Sequence, residues 1–110
     1  MARPSKAHRP KRRWIGVEVG SHLTERAHIE KVLEAMFDVN VRLMDVVPAH
    51  QRDADEGVAI LGVTLAVAPV VRAALADDSA WTTHGLRSVT TSGKIRLVRE
   101  RLGLPRPPRR

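Results

Sequence analysis

The chain has 110 residues, a net charge of +7 at pH 7, ordinary hydrophobic content (43%) and no cysteine, which excludes disulfides, zinc–thiolate sites and a cysteine nucleophile. The charge is partitioned: Met1 to Arg13 holds six Lys or Arg and no acid, Leu86 to Arg110 holds eight against Glu100 alone, and Trp14 to Gly85 holds five against eleven acids. An acidic body with two cationic ends suits a polyanion such as nucleic acid, because phosphate neutralisation by Lys and Arg supplies the sequence-independent part of that binding.

Residues 1–13 combine dense charge with no apolar periodicity, so they read as a basic arm that stays disordered until a partner orders it. Folded structure is expected from Trp14. Ile15, Val17 and Val19 alternate with Trp14, Gly16 and Glu18, which predicts a strand with its aliphatic face buried and Trp14 on the open face. Gly20-Ser21 closes it, and Ser21 or Thr24 is placed to cap a helix with Glu25 in the first turn. Ile29, Val32, Leu33, Met36 and Phe37 follow a single helical face, and Asp38 and Asn40 end the run.

Val39 to Val47, rich in β-branched residues and stopped by Pro48, predicts a second strand. Pro48 to Gly57 reads as a polar loop. Val58 to Ala66 is a nearly continuous apolar strand, with Gly62 marking a bulge or a close approach by another backbone. Pro69 suits a first helical turn, and Val70, Val71, Ala74 and Leu75 form the apolar stripe of a short helix. A loop containing Trp81 follows. Gly85 to Thr91 predicts the last strand and Ser92-Gly93 its turn. Ile95, Val98 and Leu102 then recur at helical spacing until Gly103 stops the helix, and the prolines of 103–110 keep the tail extended.

This order predicts an α+β, ferredoxin-like two-layer sandwich over residues 14–102, βαββαβ with a four-stranded antiparallel sheet, plus a short C-terminal helix and basic arms. The first and last strands are not expected to be neighbours, so the two arms need not form one patch. The longest apolar run is broken by Gly62, Thr64 and Pro69 and falls short of a membrane span, and no signal peptide is visible. An intracellular, cytoplasmic protein without membrane contact is expected.

Lys11-Arg12-Arg13-Trp14-Ile15, Val71-Arg72-Ala73-Ala74-Leu75-Ala76 and Ser92-Gly93-Lys94-Ile95-Arg96 together resemble the small ribonuclease P protein subunit of archaea and eukaryotes, component 2 in archaea. The chain departs from that family's pattern at Lys94, where Thr is usual, and at Thr91, where an apolar residue is usual. The resemblance implies a ferredoxin-like fold and a protein without catalytic residues. The RNA would hydrolyse the phosphodiester that releases the 5′ leader of precursor tRNA, and a TIM-barrel protein would be the partner. Ile29 to Val47 also looks like the helix–strand unit of uL23-type proteins of the large ribosomal subunit, over less of the chain. A third reading is a ferredoxin-like regulatory or dimerisation module, which has no need of so many end cations.

The residues expected to touch RNA are Lys11, Arg12, Arg13 and Trp14 from the first end, and Arg87, Ser92, Gly93, Lys94, Arg96, Arg99 and Arg101 from the second. Ser92-Gly93 offers backbone N–H groups at a helix start with cations directly behind, an arrangement suited to phosphate. Its plain alternative is a turn that caps a surface helix. Trp14 at a strand start packs more often than it stacks on a base. Val58, Ile60, Met44 and Val46 are candidates for an open sheet face that receives a protein partner. Arg96 and Arg99 are both expected to be exposed. Asp53, Asp55 and Glu56 sit in a polar loop without a His or Lys partner at a useful spacing, and the five dispersed His form no ligand pair, so neither a catalytic group nor a metal or cofactor site is expected.

Overall fold

The computed structural model describes residues 11–52 and 54–104. Strands β1 (Arg12–Val19), β2 (Arg42–Val47), β3 (Gly57–Thr64) and β4 (Leu86–Ser92) form one antiparallel sheet in the order β2-β3-β1-β4. Helix α1 (Arg26–Met36) joins β1 to β2, and α3 (Ala68–Ala76) joins β3 to β4. The one-turn helix α2 (Ala49–Arg52) and the terminal helix α4 (Ile95–Arg101) complete the fold. The two crossovers interleave around the paired central strands, which is the ferredoxin-like arrangement. Among the described residues no helix is long and apolar enough to cross a membrane.

The alternation in β1 does what a period of two requires. Ile15, Val17 and Val19 are fully buried with Ala59, Leu61 and Val63 of β3, against Ile29 and Leu33 of α1, Phe37 at its C-cap, and Val71 and Leu75 of α3. β3 is buried along nearly its whole length because both its faces are covered. On the second face Val58 and Ile60 pack with Val98 and Leu102, flanked by Trp14, Met44, Val47, Ile95 and Leu104. The face predicted to be open is therefore closed by α4. Of its four predicted members, Val46 belongs instead to the helix-covered face.

Several local expectations change, each for a contact outside the local pattern. β1 begins at Arg12, two residues before the predicted start, because Arg12 and Arg13 pair with Thr64 and Val63. Neither Ser21 nor Thr24 caps α1; its N-cap is Glu25, without a side-chain cap, and Gly20 to Leu23 forms a turn that buries Leu23. β2 starts at Arg42 rather than Val39, and Pro48 to Gly57 contains the single turn α2. Val70 is 62% exposed and lies off the buried stripe of α3, which runs through Ala68, Val71 and Leu75. The predicted Trp81 loop is a π-helical turn, Ala80–His84, ended by Gly85 at a φ of 76°. Just before it, Asp77 Oδ1 accepts the Ser79 N–H at 2.9 Å, and the hydrogen bonds from Ser79 hold this exposed carboxyl below its ordinary range.

Gly62 marks neither a bulge nor a backbone contact. Trp14 pairs with it across the ladder, and a Cβ at Gly62 would stand 2.8 Å from the indole Cζ3, so the glycine makes room for the ring. The bulges lie in the edge strands. In β2 the register shifts between Leu43 and Asp45, which leaves Met44 as the extra residue. Both Met44 and Asp45 thereby reach the α4 side. In β4 the shift at Gly16/Val17 leaves Val89 unpaired and brings Thr91, not Thr90, opposite Ile15.

α4 ends as its sequence predicts. Gly103 has a φ of 73°, its N–H reaches the Glu100 carbonyl at 3.0 Å, and the Leu104 N–H reaches that of Arg99 at 2.9 Å. This is a Schellman closure, with Leu104 folded back onto the small apolar cluster.

Candidate nucleic-acid interface

The sheet order brings the two charged ends of the chain together. β1 and β4 are hydrogen-bonded neighbours, contrary to expectation, and run antiparallel with Trp14 opposite Ser92. The start of the first strand therefore lies beside the end of the last. Lys11, Arg12 and Arg13 lead into Trp14, opposite Ser92, while Gly93 and Lys94 lead out of Ser92, and Arg96 follows in the first turn of α4. The Arg13 guanidinium lies over the turn so closely that a Cβ on Gly93 would be 3.0 Å from its Nη1.

Sequence reasoning missed one cation of this group. α3 starts where β3 ends, beside the start of β1, and its exposed Arg72 shares a cleft with Arg13, Thr91 and Ser92. The signal was present in part, since Arg72 interrupts an otherwise apolar helix; its neighbours in space were not. Lys11, Arg12, Arg13, Arg72, Lys94 and Arg96 make no ion pair among the described residues. Arg42 begins β2 at the same end of the sheet, but it shares its groove with Glu30 and Glu34, which offset its charge. The acids Glu18, Glu25, Asp55, Glu56, Asp77 and Asp78 gather at the opposite end of the strands. The fold thus turns a charge pattern along the chain into a separation of charge across the molecule, which raises the potential at the cationic end.

The remaining predicted contacts have structural occupations. Arg87 sits at the start of β4, five residues or about 17 Å along the strand from Ser92. It donates to Glu18 Oε1 from Nε at 3.1 Å and from Nη2 at 2.9 Å, and its guanidinium lies 4.2 Å from the Trp81 ring centroid. Trp14 is half-buried in the apolar cluster beneath α4. Arg101 Nη1 donates to Thr90 Oγ1 at 2.9 Å and to the Thr91 carbonyl at 3.3 Å, tying α4 to the β4 edge.

Arg99 departs from expectation. Its side chain is only 17% exposed, and Nη1 donates to Asp45 Oδ2 at 2.7 Å, so it joins α4 to β2. The bulge at Met44 is what turns Asp45 toward it. Arg99→Ala is expected to cost up to about 1 kcal/mol, since Asp45 remains partly solvated. Arg96→Ala, at an exposed site, should leave thermal unfolding unchanged. Equal melting temperatures for the two variants would assign Arg99 no structural part.

The Ser92-Gly93 turn also differs from a simple anion cradle. Ser92 Oγ accepts the Lys94 N–H at 3.1 Å, so one of the predicted donors is already used. With only seven residues, α4 offers a small dipole. What this end offers an anion is side-chain cations more than backbone donors.

Asp53 lies outside the described residues, Asp55 is exposed and Glu56 half-buried. Among the described residues no group of three or more His, Asp or Glu is placed to hold a metal ion. The predicted arm before Lys11 and tail after Leu104 fall outside the described residues. No family model matches the chain, and no curated protein matches it.

Proposed function

We propose that this chain is a non-catalytic RNA-binding subunit of a ribonucleoprotein, most closely of the ribonuclease P type, acting in the cytoplasm. One observation carries the reading: β1–β4 pairing brings Lys11, Arg12 and Arg13 to the same end as Lys94 and Arg96, and the start of α3 adds Arg72, without ion pairs among the described residues. Cations left without carboxylate partners cost little to bring against phosphate, because no existing pair has to be broken. Of the three segments that carry the resemblance, Lys11–Ile15 and Ser92–Arg96 lie at this corner and Val71–Ala76 contributes Arg72 to it. The protein's part is to neutralise and position backbone phosphates while any hydrolysis belongs to the RNA.

For a protein partner such as a TIM-barrel subunit, the α4-covered face is not the surface on offer. What remains is the pair of edge strands and the exposed apolar side chains Leu65, Val70 and Val89. Dimerisation through the sheet face would first have to displace α4.

With six phosphate contacts, affinity for structured RNA is expected to fall roughly a thousandfold between 50 and 200 mM salt. Fluorescence anisotropy across that range checks it, and a flat dependence would remove the electrostatic mechanism. Affinity purification from the native host with sequencing of bound RNA identifies the target. Ribonuclease P RNA supports the reading, ribosomal RNA favours the uL23-like one, and no RNA at all favours a regulatory module.

A further inference from the structure

We propose that the cleft between α3 and the end of β4 is a phosphate pocket in which Arg13 and Arg72 together hold one backbone phosphate of the bound RNA. The inference rests on the RNA-binding reading above and names a site within it. The cleft is about 210 Å³ and is lined by Arg13, Arg72, Thr91 and Ser92 around the first turn of α3 at Ala68 and Pro69. It adjoins a longer groove of about 590 Å³ between α3 and β4, with which it shares Pro69, Arg72 and Thr91. No acidic side chain lines either space.

Each wall is set by a feature already described. The bulge at Val89 puts Thr91 on the α3 face, opposite Ile15, while Thr90 turns to α4 and receives Arg101. Without that extra residue the hydroxyl facing the cleft would come from the other threonine. Ser92, opposite Trp14, turns its side chain to the α4 side, where Oγ accepts the Lys94 N–H, and it borders the cleft at the end of the strand. Arg13 is steadied over Gly93, with Nη1 donating to the Arg12 carbonyl at 3.1 Å, and its other N–H groups remain. Arg72 brings a second guanidinium from a different element. Two planar forks and the Thr91 hydroxyl, in a cleft without carboxylates, suit the two non-bridging oxygens of a backbone phosphodiester better than any neutral or cationic ligand. The first turn of α3, Pro69 included, adds the favourable end of a nine-residue helix.

The test uses the full chain with two probes, inorganic phosphate followed by NMR and a stem–loop RNA followed by anisotropy against salt. Phosphate should shift the Arg13 and Arg72 Nε–H signals and the amides of Thr91 to Lys94. Arg72→Ala should abolish those shifts, reduce the log–log salt slope by about one and weaken RNA binding roughly fivefold at 0.15 M salt. Arg72→Lys should keep the slope but recover only part of the affinity, because it retains the charge and loses the fork. Arg72 is exposed, so neither variant should change the melting temperature. If the wild type binds RNA with a steep slope and Arg72→Ala binds identically, the pocket is refuted and the broader reading stands. If the wild type shows no salt-dependent RNA binding, both fall together.

Discussion

A variant carrying Arg12→Ala, Arg13→Ala, Lys94→Ala and Arg96→Ala is expected to bind structured RNA two to three orders of magnitude more weakly at 0.15 M salt, with its log–log salt slope reduced by about three to four units. The size follows from counterion release, to which each lost phosphate contact contributes about 0.7 to 0.9 of slope. The fold should survive, because none of the four is fully buried and none makes an ion pair among the described residues. The control is Lys31→Ala with Arg52→Ala, on α1 and on the one-turn helix before β3, which removes charge away from the proposed surface. An equal loss per charge in that control would mean that net charge alone drives association and that the grouping at one end has no role.

Val98→Asp is expected to release α4 from the sheet. Val98 is fully buried, and with Leu102 it covers Val58 and Ile60. A carboxylate cannot be held there without a partner, and detaching a seven-residue terminal helix costs less than burying the charge. The loss is therefore limited by the docking energy of α4, about 2–3 kcal/mol, which lowers the melting temperature by about 10–20 °C for a domain of this size. Hydrogen exchange should show α4 amides unprotected while β3 stays protected, and Trp14 fluorescence should shift to the red as its cover leaves. RNA affinity should also fall, since Arg96 departs with the helix. Unchanged protection in α4 and unchanged Trp14 emission would show that Val98 does not anchor it.

These two expectations rest on different levels of information. The alternation of Ile15, Val17 and Val19, the stripe through Ile29, Leu33 and Phe37, and the uninterrupted apolar run of β3 were all legible, because side-chain periodicity reports directly which face is buried. So was the closure of α4, written in Leu102-Gly103-Leu104. The continuous β3 run was expected to be covered on one face with Val58 and Ile60 on an open one, and the short Ile95, Val98 and Leu102 pattern did not say that α4 would cover them.

Val70, assigned to the buried stripe of α3 and 62% exposed, is an error of period, and the errors at the candidate site concern pairings. Arg99 and Arg87 look alike in sequence to Arg96, yet Arg99 meets Asp45 and Arg87 meets Glu18, fifty-four and sixty-nine residues away. The bulges at Met44 and Val89 turn Asp45 and Thr91 to the faces they serve, and one extra residue in an edge strand leaves no mark in composition.

By itself, the sequence determined that the cations lie at the two ends of the chain, that the middle is acidic, and that strands and helices alternate with buried aliphatic faces. Only the tertiary structure decided that the two ends meet. Periodicity tells a strand which side to bury and says nothing about its neighbour. That choice was made when both crossover helices packed on one face of the sheet, which set β1 beside β4 and brought Arg13 and Arg72 into one cleft with Ser92.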